Sequence, residues 1–111
     1  MKNDHLAVAL NWFDAYRSGA LSAVLQTFDK EATIECGCGG TQIITGDTAI
    51  AEYWKSRLLK APAGEIQDVQ ASEHDVSIHY TTVGGELLSV AVEMNETGKI
   101  CYFQCSPVLL S

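Results

Sequence analysis

A chain of 111 residues is one domain, long enough to enclose a hydrophobic core without disulfide or metal staples. Its 47% hydrophobic and 19% charged composition is that of an ordinary folded protein and excludes a disordered one. The formal net charge of −7 argues against nucleic acid and anionic membranes as partners, since both select basic surfaces.

No apolar run reaches the roughly 18 residues of a membrane span. The apolar stretch Leu6 to Leu10 is too short for a signal peptide and is bounded by His5 and Asn11. The expected compartment is therefore the reducing cytoplasm, where the four cysteines stay as thiols.

In chain order, Asn3 and Asp4 are placed to cap a first helix. Leu6, Ala9, Leu10 and Phe13 follow at helical spacing beside Trp12 and Tyr16, and Gly19 ends the helix. Leu21, Val24, Leu25 and Phe28 make the stripe of a short second helix. The period then changes to two. Ala32, Ile34 and Cys36 point one way, Thr33 and Glu35 the other, as in a half-buried strand. Glycines 37, 39 and 40 interrupt it, and Gln42 to Ile44 form a short return strand. Asp47 can cap a third helix, in which Ile50, Trp54 and Leu58 align and Tyr53 flanks them. Lys55, Arg57 and Lys60 suit the negative end of its dipole, and Pro62 and Gly64 stop it.

The remainder alternates as strands. Ile66 to Ala71 does so weakly; Val76, Ile78 and Tyr80, then Leu88, Val90, Val92 and Met94, do so clearly. Gly84-Gly85 and Asn95 to Gly98 supply the turns. Cys101, Phe103 and Cys105 alternate with Ile100, Tyr102 and Gln104 up to Pro107. Helices, a strand, a helix and a long meander predict a single α+β domain over residues 1–111, with helices packed on one face of a curved sheet.

Three phrases carry a family resemblance: "WFDAYRSGALSAVLQTFDKEATIE" (12–35), "TGDTAIAEYW" (45–54) and "NETGKICYFQC" (95–105). In this order the chain resembles the nuclear transport factor two-like superfamily, also called SnoaL-like or ketosteroid isomerase-like. The resemblance implies three helices closing a cone over a strongly curved mixed, mainly antiparallel sheet, with the first long strand beside the last. Members include isomerases, polyketide cyclases, dehydratases and binding modules, so the fold does not carry a function.

The steroid isomerase pattern of the family is absent. Its carboxylate base falls on Cys36, its tyrosine oxyanion donor on Trp12, and its protonated aspartate on Val90. A supporting tyrosine of the third helix falls on Trp54. Carbanion chemistry needs a base at carbon and donors at oxygen, so that activity is rejected. Many relatives carry Gly-Asp between the first two helices; here it is Gly19-Ala20, which leaves Ser18 or Ser22 to cap the second.

The cysteines admit several readings. Parity puts Cys36 on the buried side, with Cys38 if the strand continues, and the resemblance puts Cys101, Phe103 and Cys105 on the inner face. They can be small buried hydrophobes, a cross-strand disulfide such as Cys36 or Cys38 to Cys105, a four-thiolate zinc site, or a reactive thiol. The C-x-C…C-x3-C spacing lacks the usual zinc knuckles, and neither metal nor cofactor is expected.

The cavity-lining set implied by the family is Trp12, Tyr16, Cys36, Trp54, Tyr80, Val90, Phe103 and Cys105. Two large tryptophans can also fill the cone and leave a ligand no room. His5 and His74 are expected at the surface, and His79 on the outer sheet face. That face also carries Ser89, Ala91, Glu93, Ile100, Tyr102 and Gln104 and is expected to form a homodimer. The expected function is binding of a small apolar or aromatic molecule. The alternatives are an enzyme of cyclase, isomerase or hydrolase type using Tyr16, Cys36 and Tyr80, or a dimerisation module.

Overall fold

The structure is a computed structural model that describes residues 2–37, 41–73 and 75–108, with residues 2–4 as backbone only. Cys38, Gly39, Gly40 and His74 lie outside the described residues, so the expectations placed on them are not addressed.

The elements run α1 (Lys2–Ser18), α2 (Leu21–Gln26), β1 (Phe28–Cys36), β2 (Gln42–Thr45), α3 (Asp47–Lys60), β3 (Ala63–Ala71), β4 (Asp75–Thr82), β5 (Leu87–Met94) and β6 (Ile100–Pro107). Among the described residues the strands form one sheet in the order β2-β1-β6-β5-β4-β3. Only the β1–β6 pair is parallel. The sheet is thus mixed and mainly antiparallel, with the first long strand beside the last. α1 packs on β3, β4 and β5, while α3 covers β1 and β2, so the helices share one face.

The inner face follows from the alternation. Ala32, Ile34 and Cys36 of β1, Val76, Ile78 and Tyr80 of β4, and Leu88, Val90 and Val92 of β5 are all buried. Intervening residues are partly or fully exposed because successive side chains point to opposite faces. Gly19 and Gly98 end α1 and close the β5–β6 turn at φ +77° and +80°, a region that costs a residue with a Cβ.

Several local expectations are corrected. α1 already includes Asn3 and Asp4, so neither stands before it as a cap. α2 stops at Gln26, and Phe28 opens β1 instead of extending the helical stripe. Its N-cap is Ala20, with no side-chain cap; Ser18 Oγ instead donates back to the Ala15 carbonyl at 3.1 Å. Gly46 is the N-cap of α3, and Asp47 is its first residue, where a carboxylate still favours the helix dipole. β3 starts at Ala63, earlier than the weak alternation indicated.

The largest correction lies in β6. Glu93 pairs with Tyr102 but Met94 pairs with Ile100, so Cys101 is an extra residue. Such a bulge rotates the strand locally. Ile100 turns inward and is fully buried, while Cys101 leaves the inner face and directs its Sγ to the Glu93 carbonyl at 3.4 Å. The expected pairing of Cys101 with the inner thiols, and of Ile100 with the outer face, both fail for this reason. Beyond the bulge the alternation resumes, with Phe103 and Cys105 buried.

A polar cluster at the end of an aromatic core

The family-implied cavity residues are brought together, and all are buried. The aromatic members fill the centre. The Trp12 ring lies 4.9 Å from Phe103, 5.6 Å from Trp54 and 5.6 Å from Tyr16, centroid to centroid. Trp54 closes on Phe103 at 5.3 Å and on Tyr16 at 5.2 Å. These separations and mostly edge-on angles are those of packed aromatic pairs, so the tryptophans occupy the middle of the cone. An apolar ligand has no room there.

Polarity collects to one side of this core, at the C-terminal ends of β1 and β6. The Tyr16 hydroxyl donates to the Ala61 carbonyl just beyond α3, and the Tyr80 hydroxyl donates to Tyr16 at 3.3 Å. Arg57 reaches the same place from α3. Its cation acts electrostatically on Tyr16, Tyr53 and Tyr80. Cys105 and Cys36 complete the group. The Cys36 sulfur lies beside the Tyr53 hydroxyl without closing a hydrogen bond of ordinary geometry.

Burial raises the phenol pKa of Tyr16, Tyr53 and Tyr80, because a phenolate loses its water there. The Arg57 cation opposes this shift without overcoming it. For Arg57, burial pulls the guanidinium down, but the surrounding phenol and thiol groups, when ionised, pull it up further, and the net direction is up. At neutral pH the cluster is one fixed positive charge ringed by neutral hydroxyls.

Several buried donors here lack a partner. Arg57 Nη2, the Tyr53 hydroxyl, Trp12 Nε1 and Trp54 Nε1 make no hydrogen bond among the described residues. No carboxylate is hydrogen-bonded or ion-paired to Arg57 among them. An orphaned buried donor costs about 1–3 kcal/mol, so Arg57 Nη2 and the neighbouring Tyr53 hydroxyl need a reason. The arrangement can hold an acceptor-rich or anionic group. It offers no base: Thr82 is the only buried polar or charged residue among those described, Tyr side chains apart.

Sequence reasoning missed Arg57. It follows Tyr53 by four residues and Trp54 by three, so it shares the inward stripe of α3, which was a usable signal. As a cation in the last turn it was explained by the helix dipole alone. Of the other candidates, His79 sits between inward Ile78 and Tyr80 and is half-exposed on the outer face. His5 differs from expectation, being half-buried with Nδ1 unpartnered. Cys36, Cys101 and Cys105 are thiols, with no disulfide among the described residues.

Two surface grooves flank α3. One, of about 320 Å³, is lined by Leu25, Phe28, Asp29, Lys30, Asp47 and Ile50. The other, of about 330 Å³, lies between β2 and α3 and is lined by Gln42, Ile44, Ala49, Glu52, Tyr53 and Ser56. Tyr53 belongs both to this groove and to the polar cluster.

No protein-family model matches the sequence, and no curated protein does. Solved structures match it strongly in shape. A SnoaL-like protein of unknown function from Burkholderia thailandensis superposes with a TM-score of 0.84 over 98% of each chain, at 16% identity. An NTF2-like protein of unknown function from Mesorhizobium loti gives 0.80 over 97% of this chain and 93% of its own, at 10% identity. SalBIII, an epoxide hydrolase/cyclase-like enzyme with a role in pyran ring formation in the polyether salinomycin, gives 0.79 over 96% and 92%, at 16% identity. At such identities the likeness concerns backbone shape. Three helices on one face of a mixed sheet, with β1 parallel to β6, and near end-to-end superposition on these proteins give the chain the nuclear transport factor two-like, or SnoaL-like, fold.

Proposed function

We propose that this protein binds a small organic molecule with an apolar or aromatic body and an anionic or strongly accepting head. The observation that carries the reading is Arg57 with its unpartnered Nη2 among three neutral tyrosines. A carboxylate or enolate oxygen meets the cation and the Tyr53 hydroxyl, and these charge-assisted bonds are the strong ones. The groove of about 330 Å³ beside Tyr53 is of the size that small-ligand sites use for the body. Binding is favoured over catalysis because no buried carboxylate or histidine accompanies Tyr16, Cys36 and Tyr80 among the described residues.

The test is a thermal-shift screen of small aromatic carboxylates beside their neutral amides. The acids stabilise the wild-type protein and the amides do not. Equal stabilisation by acids and amides refutes the role of Arg57, and no stabilisation by any compound refutes the binding reading.

The outer face supports a second reading beside the first. Ser77, His79, Ser89, Ala91 and Tyr102 are half-exposed there, and Tyr102 donates to Glu35. Small side chains around one braced aromatic fit a second copy of the chain. Light scattering at micromolar concentration returns a dimer mass on this reading and a monomer mass against it.

A further inference from the structure

We propose that Cys36 and Cys105 form a redox-active dithiol, which peroxide oxidises to a disulfide joining the ends of β1 and β6. This goes beyond ligand binding and does not depend on it. The two residues are register partners across the parallel β1–β6 pair. Both face inward, at 5% and 1% exposure. Adjacent strands lie about 4.7–4.9 Å apart, inside the roughly 4.4–6.8 Å between α-carbons that a disulfide spans. Facing cysteines in direct register on one side of a sheet therefore need only side-chain rotation to meet.

The other thiols do not compete equally. The bulge takes Cys101 off this face and ties its sulfur to the Glu93 carbonyl. The Glu93 carboxylate beside it also works against its thiolate.

The chemistry balances with hydrogen peroxide as oxidant. The Cys36 sulfur, the more exposed of the pair, attacks one peroxide oxygen; the O–O bond breaks and the other oxygen leaves as water after taking a proton. Cys36 is then a sulfenic acid. The Cys105 sulfur attacks the Cys36 sulfur, the S–O bond breaks, and a second water leaves with the Cys105 proton. Two electrons pass from the sulfurs to peroxide, and one S–S bond forms.

The experiment treats the reduced full-length protein with hydrogen peroxide, then maps its peptides without reductant by mass spectrometry. The expected product is a peptide pair linked through Cys36 and Cys105, short of two hydrogens, with titratable thiols falling from four to two. The Cys38→Ser, Cys101→Ser double variant still oxidises, and Cys36→Ser does not form the link. Retention of all thiols under peroxide, or linkage through Cys38 or between two chains, overturns the proposal. The wild-type map decides the matter even if a variant fails to fold. Since no ligand enters the readout, failure here is distinct from failure of the anion site.

Discussion

Replacing Arg57 with methionine separates a binding residue from a structural one. Methionine keeps an unbranched apolar stem, though a shorter one, and removes the charge and all donors. In the wild-type protein Nη2 is buried without an acceptor among the described residues. Such a donor costs about 1–3 kcal/mol. The rest of the Arg57 side chain is half-buried and stays hydrated, so the lower end of the range is the reasonable figure, about 1 kcal/mol. The Arg57→Met protein should therefore be more stable than wild type by about 1 kcal/mol, which for a chain of this size raises the melting temperature by about 4 °C. With an aromatic carboxylate present the order reverses. Ligand at a hundred times its Kd adds about 2.7 kcal/mol to a protein that binds it. The variant gains none of this. Urea and thermal unfolding at neutral pH, with and without the acid, measure both effects. A loss of about 2 kcal/mol or more in the unliganded variant would show that the guanidinium is already satisfied within the fold, and the reasoning would be wrong.

Tyr16→Phe takes the donor from the Ala61 carbonyl and the acceptor from Tyr80, and should cost about 1–3 kcal/mol in urea unfolding. Tyr80→Phe loses only the donor end of a 3.3 Å bond and should cost less; the opposite order counts against the assigned directions. All four tyrosines have raised pKa values, three through burial and Tyr102 chiefly through its hydrogen bond to Glu35. Groups raised in the folded state contribute stability that is complete below the unfolded value of about 10 and is lost as pH rises through the folded values. Phenolate absorbance of Tyr16, Tyr53 and Tyr80 should thus appear only as the protein unfolds in alkali. Four phenolates titrating near pH 10 with the circular dichroism unchanged would contradict this. A Cβ at Gly64 would sit 2.7 Å from the Thr81 carbonyl oxygen, so Gly64→Ala should destabilise by about 1–3 kcal/mol in the same unfolding assay, and a neutral result would place the β3–β4 approach elsewhere.

The order of elements and most of the inner face were legible in the sequence because both are local properties. Strand alternation names the inward residues before any partner is known, as Val76, Ile78 and Tyr80 show. Where local pattern and pairing disagree, pairing decides. Phe28 continues a helical spacing from Val24 and Leu25, yet it pairs with Ile100 as a strand residue. Cys101 obeys the alternation in sequence and violates it in space, because a bulge is defined only by what the neighbouring strand does.

The candidate site divides in the same way. Tyr16, Tyr80, Cys36 and Cys105 were identifiable from the chain as inward-facing groups with chemistry. Their company was not. Tyr16 and Tyr80 are 64 residues apart and meet only because α1 lies across β4. Arg57 looks like any cation in a last helical turn until α3 is laid on β1 and β2, which turns its stripe toward Tyr16 and Tyr80. The sequence by itself determined which side chains turn inward, since that depends on backbone periodicity within each element. Only the tertiary structure decided that the aromatic rings fill the cone, that Arg57 stands without a counter-charge among the described residues, and that Cys36 faces Cys105. Each of these depends on strand order, register and helix placement, which residues distant in the chain set together.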